Sequence, residues 1–172
     1  MKLRCVCAVA LAVAVAAPAA KAQEFPKPGP EHELLKKMEG TWDLTMKFGG
    51  DETKGTVTHK MELGGLWLVG DLRSEIFGAK FYGKGLDTYD PETKKYVSVW
   101  VDSMSARPMV MEGTYDKAKK TLTMTGEGPG PDRKPAKWKS VSEFSDDDTI
   151  KFSMYVGDGK DPMFTITYKR KK

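Results

Sequence analysis

The chain has 172 residues, 28 Lys+Arg against 24 Asp+Glu (formal charge +4), and two cysteines. That length holds one domain, and 40% apolar with 30% charged residues excludes a disordered or fibrous chain. No repeat of roughly 20–50 residues is present, which excludes a solenoid.

The chain opens with Met1-Lys2-Leu3-Arg4, a short positive segment. An apolar run from Val6 to Ala17 follows, and then Ala20-Lys21-Ala22, a small-x-small cleavage site. This order predicts a secretory signal peptide over residues 1–22. A membrane span needs about 20 apolar residues; this run is shorter and is followed by Pro18 and Lys21, so the protein is not expected to span a membrane. A lipoprotein would carry a cysteine after the run, whereas Cys5 and Cys7 flank its start. The expected location is the periplasm or the secreted fraction of a bacterium.

Removing 22 residues from 172 leaves 150. Lys2, Arg4 and Lys21 go with the leader, so 25 Lys+Arg remain against 24 Asp+Glu, a net charge of +1. Both cysteines go too, which excludes a disulfide or a thiol nucleophile in the exported chain. Asparagine is absent throughout, so turns must be built from Gly, Asp and Pro.

Residues 23–29 are Pro-rich and read as an extended arm; a single domain is expected over 30–172. Pro30 to Gly40 predicts one short helix, with Pro30 in the first turn and Gly40 as the stop. Leu34, Leu35 and Met38 form its apolar face. From Trp42 the period switches to two: Trp42, Leu44, Met46 and Phe48 alternate with polar residues, as do Val57, His59, Met61 and Leu63. Further strands are expected over 66–75, 79–89, 96–102, 109–115, 121–126, 136–144, 150–156 and 163–171, with Gly83 and Gly85 marking bends or bulges and 126–135 a long Gly/Pro loop. Two turns share a spelling, Tyr89-Asp90 before Lys94-Lys95 and Tyr115-Asp116 before Lys119-Lys120. Both predict four- or five-residue hairpins around a type I turn.

About ten short strands joined by short connections predict an all-β protein, a ten-stranded antiparallel up-and-down barrel with a short N-terminal helix. Closure removes exposed edges; an open two-sheet sandwich is the rival.

Gly40-Thr41-Trp42 after a helix, with Arg170 in phase with Ile166 and Tyr168 on the last strand, resembles the lipocalin and fatty-acid-binding (calycin) pattern. That resemblance implies that Trp42 plugs one barrel end with Arg170 packed over it. A fuller resemblance is to domain of unknown function 1579. It is carried by Glu31-His32, Gly40-Thr41-Trp42-Asp43, Leu63-Gly64-Gly65, Gly85 with Tyr89-Asp90, and Val97-Ser98 with Trp100 and Asp102. Gly113-Thr114-Tyr115-Asp116, Lys120-Thr121-Leu122-Thr123, Gly126-Glu127, Met154-Tyr155 and Ile166-Thr167-Tyr168 extend it. It implies a calycin-like barrel and brings no activity.

The chemistry-bearing residues are few. The two histidines, His32 and His59, with no cysteine, are too few for a structural zinc site. Asp146-Asp147-Asp148 and Asp158-Gly159-Lys160-Asp161 lack calcium-loop spacing and read as hairpin tips. Nitrobindin barrels resemble this architecture and hold haem through a histidine. The last strand here has none, so no cofactor is expected, with haem on His59, Met61 or a tyrosine as the alternative. No Gly-x-Ser-x-Gly elbow is present. Residues 126–131 are Gly-rich but hold two prolines and precede no helix, unlike a phosphate loop. Lys134, Lys137 and Lys139 around Trp138 and the tail Lys169-Arg170-Lys171-Lys172 are basic, but the +1 charge argues against nucleic acid.

The expected function is non-enzymatic binding of a small apolar or amphipathic molecule in the barrel by a monomer. Trp42, Met46, His59, Met61, Trp100, Asp102, Met111, Trp138 and Met154 are the candidate lining. On the fifth strand Tyr96, Ser98, Trp100 and Asp102 share one face and Val97, Val99 and Val101 the other. Alternation alone leaves open which face is inward. An inward Asp102 would need a partner such as Arg107 or a ligand cation. The alternatives are an enzyme using Asp102 with His59 or a tyrosine, and a cavity-free barrel that binds proteins through Val97, Val99 and Val101.

Overall fold

The computed structural model describes residues 25–132 and 134–172. The expected signal peptide, its cleavage site and the start of the arm lie outside them. Helix α1 spans His32–Lys36; the strands are β1 Gly40–Phe48, β2 Asp51–Glu62, β3 Trp67–Ile76, β4 Ala79–Asp90, β5 Lys95–Asp102, β6 Ser105–Asp116, β7 Thr121–Pro129, β8 Pro135–Asp146, β9 Thr149–Val156 and β10 Phe164–Arg170. Each strand pairs antiparallel with its sequence neighbours, and β10 pairs with β1, giving a closed barrel. The sandwich alternative is thereby excluded.

Closure follows from the alternation. Trp42, Leu44, Val57, Leu72, Phe81, Met111, Leu122, Met124, Ile150, Met154 and Ile166 are all buried, each on the inward phase of its strand. A row of half-buried residues sharing one face is stable only if the sheet curls to cover it. Asp90 and Asp116 cap four-residue turns as the repeated spelling predicts. Asp90 accepts from Glu92 N (2.9 Å) and Asp116 from Ala118 N (2.9 Å), and Lys94 and Lys120 take positive φ.

The helix is shorter than predicted. Pro30 precedes it, and Gly40, at φ 113°, opens β1 instead of capping the helix. Three strands are longer than their alternation suggests: β2 and β6 start several residues earlier, and β7 continues to Pro129. The expected Gly/Pro loop shrinks to 130–134, because Glu127, Gly128 and Pro129 still pair with Lys137, Ala136 and Pro135. Gly83 and Gly85 make no bulge; their pairing is in continuous register. Register shifts fall instead between Trp100 and Asp102 and between Phe144 and Asp146.

Candidate functional site

A barrel's interior widens with strand number, and about eight strands leave a lumen that side chains alone can fill. Ten strands here enclose a cavity of about 780 Å³. Its wall is largely apolar: Met46, Leu72, Phe81, Met109, Met111, Met124, Met154 and Phe164 among others. The cavity opens at the end where the β1–β2, β3–β4 and β5–β6 turns meet. Phe77 and Met104 stand there 72% and 68% exposed, and the Phe77 ring meets Phe48 edge-on at 5.8 Å.

The other end is closed by α1. Leu34 and Leu35 enter the core, and the Tyr96 hydroxyl donates to the Glu31 carbonyl at 3.0 Å. Beneath this floor Trp42 is 1% exposed; its indole N–H donates to the Met38 carbonyl at 2.8 Å. Arg170 stacks on the Trp42 ring at 4.1 Å. It also donates to the carbonyls of Lys37 and Glu39, both at 2.6 Å, and of Asp147 at 3.1 Å. One guanidinium thus satisfies the orphan carbonyls after α1 and holds the β8–β9 turn against them.

On β5 the polar and aromatic set faces inward. Tyr96 is buried, Ser98, Trp100 and Asp102 line the cavity, and Val101 is 38% exposed outside. What permits this is Gly83 on the adjacent strand. A side-chain carbon there would stand 2.2 Å from Trp100 Cζ2, so the indole lies flat on bare backbone. Asp102 is satisfied locally: Trp100 Nε1 donates to one carboxylate oxygen and Met104 N to the other, each at 2.8 Å. Arg107 is not its partner.

One acidic group on the wall is a residue that sequence reasoning missed. Asp87, on the inward phase of β4, lines the cavity with the Ser98 hydroxyl donating to it. Burial behind the barrel wall raises its pKa to about 6, the Ser98 hydrogen bond pulling the other way. A side-chain carbon at Gly85 would be 3.6 Å from both Asp87 Oδ2 and Trp100 Cε3, so carboxylate and indole flank the same bare patch. Tyr168, from the nearly opposite wall, lies within electrostatic reach; burial and then the Asp87 charge push its phenol up. The signal was present: Phe81, Gly83, Gly85, Asp87 and Tyr89 share one parity, and an acid in that series points inward.

His59 also lines the cavity near the floor. Its ring packs on Gly70, where a side-chain carbon would fall 2.7 Å from Cδ2. Burial lowers its pKa to about 4, with the Met38 carbonyl drawing it back up, so the imidazole is neutral at pH 7. Trp138 lines the wall with a buried Nε1–H that has no hydrogen-bond partner among the described residues. Met46, Met111 and Met154 line the same cavity, while Trp42 and Met61 do not. Trp42 lies below the floor, and Met61 packs at its edge, where its backbone N–H donates to Glu39.

Asp102 and His59 are not brought together. They stand on β5 and β2, three strand spacings apart, about 14 Å along the wall, and both Asp102 oxygens are already engaged. Among the described residues no three His, Cys, Asp or Glu side chains converge as a metal site. No described helix is long and apolar enough to cross a membrane.

This geometry defines a class: a closed ten-stranded barrel with a plugged floor, a mostly apolar cavity and a sparse polar wall. The chain belongs to the family described as protein of unknown function (DUF1579), whose model matches residues 27–170. No curated protein matches it. Among solved structures it is similar to Rv2717c from M. tuberculosis, at 14% identity and a TM-score of 0.59, covering 84% of this chain and 99% of that one. A redesigned β-barrel is similar at 16% identity and a TM-score of 0.47, covering 80% of this chain and 95% of that one. At such identities the likeness to Rv2717c speaks to fold alone.

Proposed function

We propose that this protein is a non-enzymatic carrier or receptor, a calycin-type barrel that holds one small apolar or amphipathic molecule in its cavity. The observation that carries the reading is the cavity itself. Protein interiors are packed like organic crystals, with few voids larger than a water molecule. A space of about 780 Å³ lined by methionine and aromatic side chains lies within the roughly 300–1,000 Å³ range of ligand pockets. Methionine suits such a wall because its flexible thioether adapts to different apolar shapes. The exposed Phe77 and Met104 at the mouth provide an apolar entrance.

The leader pattern supports export to the periplasm or beyond, where a carrier would work as a monomer without disulfides. Intact mass of the protein from its own cells tests that part: export gives a chain beginning at Gln23. Binding is tested by titrating the purified protein with a neutral long-chain alcohol and following tryptophan fluorescence. Trp100 and Trp138 line the cavity, so a bound chain changes their emission in a saturable way. A non-saturable response would overturn the reading.

A further inference from the structure

The cavity's charge is one-sided. Its described lining includes Asp87 in the interior and Asp51, Glu52, Glu75 and Asp102 towards the mouth, and no lysine or arginine. His59 adds no positive charge at neutral pH, for the reason given above. A carboxylate-headed amphiphile would therefore meet negative charge at the rim and none of the opposite sign inside.

The interior carboxylate also has spare capacity. An ionised carboxylate offers about four acceptor sites, and among the described residues Asp87 has one hydrogen-bonding neighbour, the Ser98 side chain. Beside it is the Trp100 indole, flanking the same bare Gly85 backbone. Tyr168 lies close enough to feel its charge. A carboxylate, an aromatic face and neutral hydroxyls around one space form an environment that favours a cation, through a charge-assisted hydrogen bond and cation–π attraction. By contrast Asp102 has both oxygens occupied by Trp100 and Met104, and Glu52 pairs with Lys47 at 3.8 Å.

We propose that the cavity selects an amphiphile with a cationic head, a primary or substituted ammonium, seated on Asp87 beside the Trp100 ring with its apolar tail against the methionine wall. This rests on the binding function proposed above and names the ligand class for that site. The step is association alone, with no bond made or broken.

The test is competition binding with three probes of equal chain length, decylamine, decanol and decanoate, on the full mature chain and on Asp87→Asn. One charge-assisted hydrogen bond is worth about tenfold or more in affinity. The expected result is decylamine bound at least about tenfold more tightly than decanoate, with that ratio falling to within about threefold in Asp87→Asn. Decanol should still bind the variant saturably, weakened by no more than about tenfold for its one hydroxyl hydrogen bond, which shows that the cavity is intact. Decanoate binding as well as decylamine overturns the proposal while leaving the binding function standing. So does an amine preference that survives in Asp87→Asn. If none of the three binds, the binding function fails and this inference with it.

Discussion

The Arg170 guanidinium lies 4.1 Å from the Trp42 ring while donating to carbonyls of residues on either side of the floor. The last strand, the helix end and the first strand are therefore fastened at one point. Trp42→Ala should destabilise the protein by about 3–5 kcal/mol, since it removes a fully buried aromatic. Arg170→Lys should cost about 1–3 kcal/mol, because an ammonium cannot reproduce the planar fork that reaches several carbonyls. A double-mutant cycle in urea should show a coupling of about 0.5–2 kcal/mol. Additive effects would mean that the two residues act separately.

Gly83 and Trp100 make a second fitted pair. A methyl at Gly83 would stand 2.2 Å from the indole, so Gly83→Ala must push Trp100 off the wall and into the cavity. The expected cost is about 1–3 kcal/mol, with a shift in tryptophan emission and weaker binding of a neutral alcohol. Adding Trp100→Leu to Gly83→Ala should recover most of the stability. If Gly83→Ala matches the wild type in urea, Trp100 does not lie as described.

Two buried groups on the wall titrate in opposite senses. His59 has its pKa lowered to about 4, so the stability gained by keeping it neutral is present above 6.5 and lost as pH falls towards 4. Asp87 has its pKa raised to about 6, so its contribution is greatest below its ordinary value and lost as pH rises through about 6. The two slopes oppose each other between about pH 4 and 6, and the wild type should be nearly flat there. Asp87→Asn should leave a protein that weakens steeply in acid, and His59→Gln one that weakens as pH rises. Each slope should amount to about 3 kcal/mol across the window. Urea midpoints at about pH 4.5 and about pH 6.5 check this; parallel changes in both variants would contradict it.

Removing space should remove binding without removing the fold. Ser140 is buried on the lining of β8, and Ser140→Leu adds bulk into the cavity. Its urea midpoint should stay near the wild-type value, while the affinity for decanol falls at least about tenfold. Unchanged affinity would place the ligand somewhere other than the cavity.

Much of the barrel was legible because its cause is local. Period-two alternation, Asp-led turns and the Gly-x-Trp opening each act within a few residues. Where the sequence reading stopped, the deciding force was non-local. Glu127, Gly128 and Pro129 read as loop because their strand character comes from partners on β8. The fifth strand's inward face could not be chosen from alternation, because Trp100 and the valines are both apolar; Gly83, on a strand next to it in space, decides it. Asp87 was passed over although its parity with Phe81 and Tyr89 marks it as inward.

Whether the cavity holds a ligand in the cell is read from native mass spectrometry of the protein purified from its own cells. The expected spectrum shows a reproducible added mass, one small molecule per chain, that is absent from Ser140→Leu prepared in the same way. A bare chain mass in repeated preparations, together with no saturable binding of decylamine, decanol or decanoate, would contradict it.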